Sequence, residues 1–328
     1  MIETRIRRLL PARSTMPFAW QRVLGAVLAC VIAVCVSLPA RAGNPGAGRI
    51  EIELVLSDGT SLYADAAQEL KKGLAADVSV VSVLAEAVER RARPGTASAI
   101  VTLGTRALTA VLAQEARVPV IAALVPRKAF DSAVAAAPGS QVSAVFLDQP
   151  YARQLNLIRL VLPTRPRVGV LAGPEWDVQI SQLANTARDQ RITLVRETVN
   201  TPKDLHPALQ RILGEADSIL ALPDSNVFNA TTLPNVLLTT YRNQQPVFGF
   251  SPAYVRAGAL AAVFSTPQQN ARQAAEMLQR TLSSGVLPQP QYPRTFWVSV
   301  NPTVARSLDL KVQEEAALVA ELQKLERE

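Results

Sequence analysis

The chain has 328 residues, 48% of them hydrophobic and 19% charged, which is enough for two ordinary domains and too apolar for a disordered tail or a fibre. Its formal net charge of +7 invites a nucleic-acid or anionic-membrane reading, but six arginines and one glutamate fall within residues 1–42, leaving only +2 on the remainder. With no helix-turn-helix, zinc-finger or RNA-binding motif and no basic stripe interleaved with aromatics, nucleic acid is excluded as a partner.

The first element is a secretory signal. Arg5, Arg7, Arg8, Arg13 and Arg22 precede an uncharged apolar run from Val23 to Leu38, and Ala40-Arg41-Ala42 supplies the small residues of a cleavage site, so cleavage is expected after Ala42. A start at Met16 would leave a shorter signal and the same product. A retained anchor is the competing reading, because the run is only slightly short for a span. Cys30 stands in the middle of the run, so lipidation there would need a cut inside it. Both cysteines, Cys30 and Cys35, leave with the signal. The exported remainder therefore holds no disulfide and relies on packing, as a periplasmic protein of this size can.

From Ile50 onward, strand and helix patterns alternate. Ile50 to Leu56 and Val78 to Val83 read as strands, and Ala99 to Leu103 and Val118 to Leu124 are continuous apolar runs of the kind buried on both faces of a parallel sheet. Helix-length stretches lie between them at Tyr63 to Leu74, Leu84 to Ala92 and Arg106 to Ala116. The rhythm restarts after Pro150: helix Tyr151 to Val161, strand Val168 to Ala172, helix Asp177 to Asp189, strand Ile192 to Val199, helix Lys203 to Leu213 and strand Ser218 to Leu222. Helix Thr232 to Arg242, strands Val247 to Phe250 and Ala259 to Phe264, helix Pro267 to Leu282 and strand Thr295 to Val300 complete it. Between the last two, Pro288, Pro290 and Pro293 impose an irregular segment. Repeated βα units in two halves imply an α/β protein of two doubly wound, Rossmann-like lobes joined by a hinge. Such a protein closes on a solute between its lobes.

Ser143 to Leu147, Gln154 to Ile158, and Leu162-Pro163 running into Arg167 to Leu171 resemble a family of periplasmic ABC-transporter substrate-binding proteins, the group that includes tryptophan- and tyrosine-type binders. Ile219 to Asn226, Pro246 to Phe248, Arg256 to Ala261 and Val300-Asn301-Pro302 continue the resemblance in order, over roughly residues 96 to 310. The resemblance implies the type I periplasmic binding fold. Lobe one would comprise residues 43–148 plus about 266–287, and lobe two 149–265 plus about 288–328. It also implies a small-molecule solute and an ABC permease of the inner membrane as partners, a monomer, and no cofactor.

Ligands of open α/β sheets bind at the carboxyl ends of the strands. In lobe one this rule selects Ser57, Asp58, Thr60 and Tyr63, then Thr105 and Arg106 beside Gly104, then Val125 and Arg127, and Asp148 at the first crossover. In lobe two it selects Glu175, Trp176 and Asp177, then Asp224, Ser225 and Asn226, then Phe250, Ser251 and Tyr254. The Ser57 to Thr60 and Asp224 to Asn226 segments read equally as helix caps. Trp176, among polar and turn-forming neighbours, offers an exposed ring for stacking, or else belongs to the core. Arg106 opens a helix, where the dipole gives its charge nothing, so a partner is expected there, and anionic ligand groups are the obvious candidates.

Two departures from the family pattern bear on the ligand. Leu124-Val125-Pro126-Arg127 replaces a Thr-Asp pair, and Phe250-Ser251-Pro252 stands where acidic residues are usual. Carboxylates for a ligand ammonium are thus missing, unless Asp58, Asp148 or Asp224 substitutes. Catalysis is not expected: His206 is the only histidine, beside a proline at a helix start, and no nucleophile elbow, P-loop, dinucleotide fingerprint or metal cluster occurs. The alternative to solute uptake is a binding-fold protein acting as a periplasmic sensor accessory or as the partner of a membrane receptor. Its motivation is the loss of those acidic anchors together with the apolar stripe Val312, Ala316, Val319, Leu322 and Leu325, although a terminal helix also commonly docks on its own lobe.

Overall fold

A computed structural model describes residues 50–91, 95–164 and 167–327; the expected signal, residues 1–42, lies outside them. The first lobe runs β1 (Ile50–Leu56), α1 (Ser61–Lys72), β2 (Val78–Leu84), α2 (Ala85–Glu89), β3 (Ala99–Leu103), α3 (Thr105–Leu112), β4 (Val120–Val125), α4 (Arg127–Ala136), β5 (Val142–Phe146). Its five strands are all parallel in the order β2-β1-β3-β4-β5. Every side chain of β3 and β4 is buried, as their unbroken apolar runs require, whereas edge strand β2 is only half-buried. Helix α4, whose Ala129, Phe130, Ala133 and Val134 share its inner face, is a finding of the structure.

The second lobe runs α5 (Tyr151–Val161), β6 (Arg167–Ala172), a 3-10 turn (Pro174–Trp176), α6 (Asp177–Asp189), β7 (Thr193–Thr198), α7 (Leu205–Glu215) and β8 (Ser218–Leu220). It continues with α8 (Leu233–Arg242), β9 (Val247–Gly249), α9 (Pro252–Ala257) and β10 (Ala261–Phe264), and closes with β11 (Trp297–Val300), α11 (Pro302–Ser307) and α12 (Glu315–Leu325). Strand order is β11-β10-β9-β8-β6-β7, parallel except for the antiparallel pair β10–β11. Short α9 is likewise a finding of the structure.

Between β10 and β11 the chain returns to the first lobe as α10 (Pro267–Ser284). A capping box starts this helix: Gln269 N donates to Thr266 Oγ1 at 3.1 Å, and Thr266 N donates to Gln269 Oε1 at 2.8 Å. Ala271, Ala274, Ala275, Met277 and Leu278 pack into the same core as β1, β3 and α1. Gly73, at the end of α1, permits the close approach, since a Cβ there would lie 2.9 Å from that of Ala275.

Three crossovers therefore join the lobes: residues 147–150, 265–266 and 285–296. They are wired together by polar side chains. Arg153, 5% exposed, donates to Gln149 Oε1 at 2.5 Å and to the Pro293 carbonyl at 2.9 Å, and its guanidinium lies 3.9 Å from the Phe296 ring centroid. Gln149 Nε2 donates to Ser265 Oγ at 2.9 Å, and Ser265 Oγ donates to the Thr295 carbonyl at 2.7 Å. A continuous path of hydrogen bonds thus touches all three crossovers. Its outer end is Glu326, which pairs with Arg153 from just beyond α12.

That contact settles the C-terminal stripe. Leu318 and Leu322 are fully buried in the second lobe's core with Leu155, Ile158, Phe296 and Val298, so the tail helix docks on its own lobe. The buried stripe centres on Leu318 and Leu322; Ala316 is exposed.

Candidate functional site

A cavity of about 420 Å³ lies where the lobes and crossovers meet. The first lobe contributes Leu62 and the turn Pro126-Arg127-Lys128, and the second contributes Trp176, Gln179 and Gln182, then Leu222-Pro223 and Phe250-Ser251-Pro252. Each crossover adds to the wall: Leu147 to Gln149 from the first, Ser265 and Thr266 from the second, Tyr292 from the third. Tyr151 and Gln154 on α5, Val263 and Phe264 at the end of β10, and Pro267 at the start of α10 also line it.

The Pro126 to Lys128 turn is held by an irregularity in β4. Register between β4 and β5 shifts at Leu124, which adopts φ +58°, a conformation an L-residue takes only when its surroundings demand it. Asn270 on α10, fully buried, makes that demand. Its Oδ1 accepts from Leu124 N at 3.0 Å and its Nδ2 donates to the Phe146 carbonyl at 2.7 Å. Beyond this bulge, Asp148 Oδ2 accepts the Arg127 backbone N–H at the start of α4. Arg127 Nη1 donates to Tyr292 Oη at 2.8 Å, and the guanidinium lies over the Phe146 and Tyr292 rings. Lys128 reaches across the cleft, its Nζ 4.7 Å from the centroid of Trp176.

Burial shapes the titrating groups here. Desolvation raises the Asp148 carboxyl above its ordinary value, against the lowering effect of the Arg127 N–H. It also pushes the Tyr151 phenol up, and the Tyr292 phenol likewise despite the bond from Arg127. Gln179 Oε1 is buried with no hydrogen-bond partner among the described residues, so its amide is uncommitted.

Of the residues selected from strand ends, the structure brings Asp148, Trp176, Phe250 and Ser251 to the cavity wall, with Arg127 beside them. The others lie elsewhere, and most of them are engaged with other parts of the chain. Ser57 is buried, its Oγ accepting from Ala107 N at 3.1 Å. It and the Tyr63 hydroxyl crowd Gly104, whose φ of +92° and lack of a Cβ the turn requires. Asp58 closes an Asx turn by accepting from Thr60 N at 2.8 Å, and its bonds with Thr60 hold its carboxyl below the usual range. Thr60 and Thr105 are exposed at helix starts.

Arg106 does have an acidic partner, but it is Glu89 of α2, through bonds of 2.9 and 2.7 Å, and not a group in the cleft. Asp177 pairs with Arg196. Asp224 is 2% exposed and accepts from Gly173 N at 2.7 Å and Asn226 N at 2.8 Å. Asn226 Nδ2 donates to Glu175 Oε1 at 3.0 Å, and exposed Ser225 receives the Asn229 amide on its carbonyl at 2.9 Å. Trp176 is not an exposed ring: it is 7% exposed and belongs to the second lobe's core while facing the cavity.

The strand-end rule missed Lys128, Tyr151, Gln154, Gln179, Gln182 and Tyr292. Helical spacing carried part of the signal, since Gln179 and Gln182 share one face of α6 and Tyr151 and Gln154 one face of α5. Tyr292, in a proline-rich segment, had none.

Two doubly wound lobes joined by three crossovers, with the cavity at the join, define a type I periplasmic binding protein. The chain belongs to the family described as ABC transporter substrate binding protein, whose pattern matches residues 79–324. A conserved domain protein of Vibrio cholerae is similar in fold, at 20% identity over 83% of this chain and 98% of that one, with a TM-score of 0.56. So is an ABC domain in complex with L-Trp from Streptococcus pneumonia, at 18% identity over 82% and 98% of the two chains, with a TM-score of 0.56. The ligand-free, open structure of a substrate binding protein with adhesive properties from Clostridium difficile is 16% identical over 80% and 96%, with a TM-score of 0.64. Among curated proteins none matches the chain.

Proposed function

We propose that the protein is exported to the periplasm and is the solute-binding component of an ABC uptake system. It takes a small solute between its lobes and presents the closed form, as a monomer, to a permease of the inner membrane. The observation that carries this reading is the composition of the cavity wall, drawn from both lobes and all three crossovers. A solute held there touches every part that must move when the lobes separate, so its binding energy is differential between open and closed states. Affinity is scaled by the fraction of protein able to close, which the bonded crossovers influence. Chemical turnover belongs to the transporter's ATPase, and this chain binds without catalysing.

The test is thermal-shift screening of protein purified from the periplasm and stripped of resident solute, against amino acids, peptides, nucleosides, sugars and organic acids. A solute bound only by the folded state raises the melting temperature, by an amount that grows with its concentration over Kd. No shift across the panel would refute uptake and favour the accessory role beside a membrane receptor, to be pursued by crosslinking in the periplasm.

A further inference from the structure

The electrostatics of the cavity are lopsided. Three helices begin at its wall: α4 behind Pro126, α5 behind Pro150 and α10 behind Thr266. Their positive dipole ends face the same space; none of the three has an acidic residue in its first turn, and only the start of α4 meets a carboxyl, that of Asp148. Arg127 and Lys128 add two full positive charges to the wall. Arg127 is partly answered by Asp131, at 3.6 Å, but Lys128 forms no ion pair among the described residues and rests only on the Trp176 ring.

Against these stands one acid, Asp148. One of its oxygens is committed to the Arg127 N–H, and burial favours its neutral form. The two other acids that could have met an ammonium are elsewhere: Asp58 is exposed in its turn, and Asp224 is buried with both oxygens bonded to backbone N–H groups. The rest of the wall carries no charge: Tyr151, Trp176, Phe250 and Tyr292 around four prolines give it aromatic and apolar surface, and Gln179 and Gln182 add neutral amides. An ammonium would enter a field of the wrong sign and find only Asp148, already bonded through one oxygen, whereas a carboxylate would meet Lys128 and the helix ends.

We infer that the cavity takes an organic acid, a carboxylate on an aromatic or comparably bulky apolar body with no ammonium group, and that Lys128 is the residue that reads the carboxylate. This rests on the solute-binding reading above. Lys128 leaves the Trp176 face for the carboxylate, and the apolar body takes its place against the ring.

The test uses three probes with one aromatic body and different heads: 3-phenylpropionate, L-phenylalanine and 2-phenylethylamine, titrated calorimetrically into solute-free protein purified from the periplasm. The acid should bind at least ten-fold more tightly than the zwitterion or the amine. Lys128→Gln should cost the acid about ten-fold and leave the melting temperature of the free protein nearly unchanged. Binding of the amine or zwitterion as tightly as the acid would overturn the inference, as would a Lys128→Gln variant that binds the acid undiminished. If none of the three probes binds but an uncharged or cationic solute of the wider panel does, the inference fails and the solute-binding reading stands. If nothing in the panel binds, the solute-binding reading itself fails.

Discussion

Replacing Asn270 by alanine removes the side chain that shapes the first lobe's share of the cavity. Its amide satisfies two buried backbone groups, the Leu124 N–H at 3.0 Å and the Phe146 carbonyl at 2.7 Å, and neither has an evident substitute in the bulge. An orphaned buried polar group costs about 1–3 kcal/mol, so the pair amounts to about 2–6 kcal/mol. Leu124, at φ +58°, then loses the bond that stabilises its unfavourable conformation, and its strain of about 1–3 kcal/mol becomes available to rearrange the turn that follows. Urea unfolding monitored by circular dichroism measures the first effect as a lower midpoint with little change in slope. Asn270→Asp gives a second reading, because it keeps the acceptor for Leu124 N while setting a carboxylate oxygen against the Phe146 carbonyl; it should be no better than alanine. A loss under about 0.5 kcal/mol, the size of an ordinary surface substitution, would refute the assignment of the bulge to this amide.

Asp148 should make stability depend on pH. Its folded-state carboxyl is raised by burial above the ordinary 3.8, so between those two values the native state binds more protons than the unfolded chain and stability falls as pH rises. Asp148→Asn keeps an oxygen for the Arg127 N–H and removes that cost; melting curves should show the variant more stable at pH 7 and equal to the parent once both states of the parent are protonated. A less stable variant at pH 7 would contradict this. Arg153→Met breaks the path through the crossovers, with an expected cost of about 2–4 kcal/mol because Gln149 Oε1 and the Pro293 carbonyl lose their donor. Glu326→Gln, at the half-open end of the same path, should cost less than about 1 kcal/mol by urea titration; equal losses for the two would show that the ion pair, not the crossover bonds, is the main contribution.

The doubly wound lobes were legible because burial imposes periodicity: β3 and β4 are buried on both faces and read as unbroken apolar runs, and β1 and α5 match their expected limits. Helix α4 was not, since only Phe130 is buried on it and the other residues of its inner face, Ala129, Ala133 and Val134, are small and only partly buried. Short α9 buries only Val255. The cavity was half legible. Strand ends do approach the cleft, but polar side chains at strand ends are also the nearest partners for loop backbone. That is why Ser57, Asp58 and Asp224 were found bonded to Ala107, Thr60 and Gly173. Arg106 suggested an anionic ligand group, but its partner is Glu89, and that pairing depends on how α2 packs on α3, which no local pattern encodes. Lys128 and Tyr292 face each other's neighbourhood only through the folding of two distant segments about the hinge.

A solute that occupies the space between the lobes must lose its place when that space is filled. Ser251 lines the cavity from the second lobe, precedes α9 and makes no side-chain capping bond, so Ser251→Trp adds bulk to the cavity without breaking a cap. Equilibrium dialysis with whichever solute raises the melting temperature most should give binding to the parent and none to Ser251→Trp, with the circular dichroism of the two proteins superimposable. Undiminished binding by the filled variant would place the solute elsewhere and contradict the account.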